Sequence, residues 1–217
     1  MSRERPPDWA KATANALMQA LRERDPYTYG HCRRVSRNAR YLAKAAGLNE
    51  KEQLEAEYSS LFHDIGKIAI PDHILFKPMQ LSAQEEEIMK THPIRSVEVI
   101  QPLCKTSFFK NLIPGIKHHH EHIDGCGYPD GIAGDEIPLT SRIILIADTF
   151  DAMTTSRPYR KALSHEIAYK ELKQFAGRQF DAQLVKTFLQ AHPGWGQLDE
   201  ELTEEFITAH RPRAKAA

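Results

Sequence analysis

Apolar residues recur at three- and four-residue intervals along nearly the whole chain, the spacing of one helical face. One stripe runs through Trp9, Ala12, Ala16, Leu17, Ala20 and Leu21, and Asp25-Pro26 ends it. A second carries His31, Val35, Ala39, Leu42, Ala43 and Ala46, with Gly47 as its stop. Asn49 with Glu52 opens a third, over Leu54, Tyr58, Leu61, Phe62 and Ile65, and Gly66 is expected to close it. Ser82 and Glu85 make another capping pair, for a helix towards His92. Further helices are expected at Pro93 to Gln101, Pro114 to His120, Ser141 to Met153, His165 to Phe175 and Asp181 to Ala191. Strand patterns are weak, so the fold class is all-α, a helical bundle. Two stretches, Ile68 to Leu81 and the glycine-rich Asp124 to Leu139, read as long loops, which in a helical domain usually carry function.

Charge narrows the function classes. Twenty-nine basic residues balance 29 acidic ones. No global field is present to grip duplex nucleic acid or an anionic membrane, so anion binding must be local. No apolar run approaches the ~20 residues of a membrane span, and MSRERPPDW has no apolar signal core. Three dispersed cysteines fit reduced thiols. These features lead to the expectation of a cytoplasmic protein.

Eleven histidines, four of them between His118 and His122, raise the expectation of a metal. His63-Asp64 follows an apolar stripe, where an ionised aspartate would cost several kcal/mol unless paired or metal-bound. His31 lies on the apolar face of its helix, and His92 sits at a helix boundary. His119 and His120 follow Ile116 by three and four residues, and Asp148 falls within the apolar run Ile143 to Phe150. Helical bundles build dinuclear sites from such inward-facing side chains. Imidazole and carboxylate without thiolate suit iron, manganese or another divalent ion bound by nitrogen and oxygen.

The ordered segments HDIGK, HP, HHE, DGCGYPDG, RIILIAD, DAMT and RPYR resemble the HD-GYP subgroup of HD-domain phosphohydrolases, over about Asp25 to His192. The resemblance implies an N-terminal helix over 1–24, an HD-GYP domain over 25–192 with a dinuclear site in its core, and a C-terminal extension over 193–217. It implies hydrolysis of the bacterial second messenger cyclic di-GMP. By position, His31, His63, Asp64 and Asp148 would hold one metal and His92, His119 and His120 the other, with Asp64 bridging. Glu121 is expected to orient a ligand imidazole through its N–H, while His118 and His122 stand outside the ligand set. Some members carry a glutamate four residues before the first histidine and hold a third metal. Tyr27 occupies that position here, which favours two metals, and Asp25 is the nearest substitute.

A metal pair lowers the pKa of a shared water, so hydrolysis of a phosphodiester needs no protein nucleophile. Lys67, four residues after His63, is expected to contact a phosphate oxygen or developing charge beside Asp64. The resemblance assigns substrate phosphates to Arg157 and Arg160, whose forked guanidinium groups suit them. Tyr128 is expected to stack on or bound a guanine, with Gly127 permitting close backbone approach. The products would be linear pGpG and in some members GMP. The resemblance also assigns the GYP loop to docking partners such as diguanylate cyclase domains. Alternatives are a hydrolase of another cyclic nucleotide, and a metal-bound cyclic di-GMP sensor with little turnover.

Overall fold

The computed structural model describes residues 8–156 and 161–197. Ten α-helices and no strand occur among the described residues, in agreement with the all-α expectation. α1 (Asp8–Arg24) and α2 (Pro26–Ala45) meet at Asp25, whose carboxylate accepts from the amides of Tyr27 and Thr28. That cap redirects the chain and uses the Asp25 side chain, so Asp25 is not a spare metal ligand. Gly47, at φ +82°, ends α2 in the left-handed region that glycine tolerates. Asn49 and Glu52 form the expected capping box of α3 (Glu50–Phe62), and Ser82 and Glu85 that of α5 (Ala83–Met89).

Two element boundaries differ from expectation. α3 ends at Phe62, and Ile65–Ala69 forms a separate 3-10 turn containing Gly66. Gly66 is therefore no helix stop. Its amide donates to Ser96 Oγ at 2.8 Å, and an added Cβ would lie 2.3 Å from both His92 O and Ser96 N. Glycine is needed because the turn touches the backbone of α6 (His92–Ile100). The helix expected from Pro114 begins earlier: α7 spans Ser107–Lys117 with Pro114 inside it. The apolar SFFKNLI segment pays for the hydrogen bond that proline cannot make, by burying Phe109, Leu112 and Ile116. The Ile68 to Leu81 stretch contains the single-turn α4 (Asp72–Leu75).

α8 (Leu139–Thr154), α9 (His165–Gln174) and α10 (Ala182–Ala191) complete the bundle. α2 is central, packing on α1, α3, α8 and α10. Two apolar clusters fill the interior. One joins Val35, Leu42, Ile146, Phe150, Leu172 and Phe188; the other joins Leu21, Cys32, Phe62, Ile65, Phe109 and Ile116. His31 lies in α2 beside Cys32 of the second cluster and one turn before Val35 of the first, so its side chain enters the seam between them. No described helix is long and apolar enough to cross a membrane.

Candidate metal centre

Five imidazoles and two carboxylates meet in that seam. Successive ring centroids are 5.3 Å apart for His31 and His63, 4.8 Å for His63 and His119, 5.2 Å for His119 and His92, and 5.0 Å for His92 and His120. They form two groups whose donor atoms lie within 4.8 Å of one another, one of His31, His63 and Asp64 and one of His92, His119 and His120. Asp148 joins the first through His31 Nε2, 3.0 Å from its Oδ1. Asp64 stands between the groups. Its Oδ2 lies 3.5 Å from His63 Nε2 and 3.7 Å from His31 Nε2, and its Oδ1 lies 3.1 Å from His92 Nε2. The seven residues selected from the sequence are thus brought together.

Local backbone geometry aims three of the rings. His63, His92 and His119 each follow a helical carbonyl by three residues, and their Nδ1 atoms lie 2.6, 2.8 and 2.7 Å from the carbonyls of Ser60, Met89 and Ile116. A carbonyl only accepts, so each Nδ1 carries a proton, and in the neutral ring Nε2 keeps the lone pair that a cation needs. Glu121 does not play the orienting part expected of it. Its Oε1 accepts from the amides of Asp130 and Gly131 instead, tying down the following loop.

The result fits a bound cation. His92 Nε2 and His119 Nε2 face each other at 3.2 Å. His63 Nε2 and Asp64 Oδ1 are buried without a hydrogen bond. Such buried, unsatisfied acceptors are costly unless an ion or water meets them. Protonation does not relieve the crowding. Burial, then the neighbouring His120, holds His119 far below the usual imidazole range. Burial and then His92 push His120 down to about 3. Burial lowers His63 as well, against the pull of Asp64. His31 behaves oppositely: burial alone would lower it, but hydrogen bonds to Asp148 and Asp151 together raise it to about 9. Burial would raise the Asp64 carboxyl, but the Lys67 ammonium beside it outweighs burial and holds it well below the usual carboxylate range.

The remaining expected positions divide. Lys67 Nζ lies 2.6 Å from Asp64 Oδ2, with its side chain 23% exposed at the edge of the seam. Tyr128 lays one ring face on His120, with centroids 4.7 Å apart and planes 21° from parallel, so that face is not open to a guanine. Gly127 approaches the chain's own backbone: an added Cβ would lie 2.4 Å from His120 O and His122 N. Both therefore wall the site and hold His120 in place. His118 pairs with Asp130 at 3.0 Å, away from the two groups. The Tyr27 ring lies parallel to that of His31, with centroids 6.5 Å apart. Arg157 and Arg160 lie outside the described residues. Asp151, which the sequence reading missed, is buried with its Oδ2 2.7 Å from His31 Nδ1. Its signal was present: it follows Asp148 by three residues, on the same helical face.

A family profile described as an HD domain matches residues 15–184. The chain is 37% identical over 199 residues to the cyclic di-GMP phosphodiesterase response regulator RpfG of Xanthomonas campestris, covering 92% of this chain and 51% of that protein. It is 38% identical over 174 residues to the 3'3'-cGAMP-specific phosphodiesterase 2 of Vibrio cholerae, covering 80% of this chain and 33% of that one. It thus spans about half, or less, of the length of these relatives. Among solved structures, the cyclic GMP-AMP-specific phosphodiesterase V-cGAP3 of V. cholerae superposes with a TM-score of 0.63 at 24% identity, over 86% of this chain and 49% of that one, a likeness of fold.

Proposed function

The chain belongs to the HD domain family, in its HD-GYP branch, and from that premise we propose that it is a metal-dependent phosphodiesterase that opens cyclic di-GMP to linear pGpG. The observation that carries the reading is the pair of donor groups sharing Asp64. His31, His63, Asp64 and Asp148 would hold one divalent ion, and His92, His119, His120 and Asp64 the other. The nitrogen and oxygen donors favour iron or manganese. Tyr27, where some members carry a third-metal glutamate, favours two ions over three. When bound, such ions supply an acidified water and neutralise charge on the phosphoryl oxygens.

The chain's own residues do the rest. Fixed Nδ1 protons keep the imidazole lone pairs aimed inward. Tyr128 covers His120 on one face and would keep water from that side of the ring. Lys67 stands where a phosphate oxygen would arrive beside Asp64. Arg157 and Arg160 are assigned to the substrate's phosphates. The loop around Gly127 presents its outer residues Asp124, Cys126 and Asp130 to solvent, a surface suited to partners such as diguanylate cyclase domains. With an intracellular messenger as its substrate, the expected location of this activity is the cytoplasm.

A second reading is hydrolysis of 3'3'-cGAMP, favoured by the 38% identity to the V. cholerae enzyme. Protein purified without oxygen, loaded with iron or manganese and offered both dinucleotides, tests the proposal. Linear pGpG is expected from cyclic di-GMP. His63→Ala and Asp64→Ala are each expected to abolish turnover and lower metal content. Preference for 3'3'-cGAMP would favour the second reading, and no cleavage of either by metal-loaded protein would defeat both.

A further inference from the structure

His31 is held differently from the other four imidazoles. Three give their Nδ1 proton to a main-chain carbonyl, and His120 rests on Tyr128. His31 Nδ1 instead meets a carboxylate, Asp151 Oδ2, at 2.7 Å. Asp151 is 3% exposed. Arg34 grips it with both arms of its fork, Nε 2.7 Å from Oδ1 and one terminal nitrogen 3.0 Å from Oδ2, and the Thr155 hydroxyl lies 3.3 Å from Oδ1. Arg34 follows His31 by three residues on α2, and Asp151 follows Asp148 by three on α8. The two helices therefore meet through an inner pair, His31 and Asp148, and an outer pair, Arg34 and Asp151.

We propose that Asp151, locked by Arg34, is a positioning residue that selectively strengthens the cation site on the His31 side and so makes the two ion sites unequal. A carboxylate behind an imidazole fixes its tautomer and orientation and makes the far nitrogen a stronger donor than a neutral carbonyl does. The Arg34 guanidinium satisfies the buried Asp151 carboxylate in a two-point contact and holds it in place behind His31. No equivalent pair stands behind His92, His119 or His120 among the described residues. The effect should therefore fall on one ion.

The inference rests on the metal reading above, and the test separates the two. Manganese titration of the metal-free full chain, followed by elemental analysis and electron paramagnetic resonance, is expected to give two ions per wild-type chain with a spin-coupled signal. Asp151→Asn should weaken one ion by 10- to 100-fold and leave the other, giving the signal of isolated manganese. Arg34→Met should act in the same direction more weakly, with Arg34→Lys between it and wild type. If Asp151→Asn does not fold, the two Arg34 variants decide. Two ions bound with wild-type affinity in the variants would overturn the inference alone, as would equal weakening of both ions. A wild-type chain that takes up no manganese would overturn the metal reading and the inference together.

Discussion

At His92 and His119 the two Nε2 atoms lie 3.2 Å apart, and a main-chain carbonyl behind each ring fixes the tautomer of its neutral form. His120 has no such tether, and the Tyr128 ring takes its place. Tyr128→Phe keeps the ring and is expected to keep wild-type metal content. Tyr128→Ala frees His120 and is expected to lower metal content, which elemental analysis of matched preparations would reveal. The seven residues that gather in the seam were legible from sequence because each polar side chain interrupted an apolar stripe or closed one. Glu121 was misread because the groups that orient the imidazoles are main-chain carbonyls, and these have no sequence identity. Tyr128 and Gly127 were read towards a ligand, whereas their nearest neighbours are the chain's own His120 to His122. Asp151 escaped because its helical-face relation to Asp148 was not combined with its approach to α2.

Elements show a similar division. Caps at Asp25, Asn49 and Ser82 were readable because a cap is a local bargain between one side chain and the next turn. The crossing of the 3-10 turn over α6 was not, because it depends on contact between segments about thirty residues apart. That crossing brings His63 and Asp64 against His92. Gly66→Ala would force a methyl group into the α6 backbone. It is expected to destabilise the fold by about 3 kcal/mol, the upper range of overpacking, and to lower metal content by pushing the two donor groups apart. Denaturant melts alongside metal analysis would check this, and an unchanged midpoint would contradict it. Pro114 shows the limit of reading a proline as a helix start: burial of the preceding apolar turn lets α7 run through it.

For the molecule as a whole, an ion that binds only the folded chain would stabilise it with the logarithm of its excess over Kd, site by site. At a hundredfold excess over Kd the gain is about 2.7 kcal/mol. That corresponds to roughly 5–10 °C in Tm for a chain of this size, so chelation is expected to lower the melting temperature by about that much. A second dependence sits away from the centre. His192 packs against Phe150, Phe188 and Trp195, and its Nδ1 lies 2.8 Å from the Tyr169 hydroxyl. Burial first, then His165 and Arg37, push it down to about 4. The unfolded chain takes up this proton near pH 6.5 and the folded chain only near 4. Stability from this group is therefore complete above pH 6.5 and is lost as pH falls towards 4. His192→Phe is expected to flatten that part of the stability profile, as measured by thermal melts across the interval.

The exposed segment around Met79, 71% open to solvent, lies between Asp64 and His92 in the chain. His31, His63 and Asp64 come before it, and His92, His119, His120 and Asp148 after. A peptide bond severed there would divide the donors of the first ion between two fragments and leave the second ion borrowing Asp64 across the break. Rejoining the halves would bury Phe62 against Phe109 once more, and divalent cations spanning the break would add their own affinity to that apolar seam.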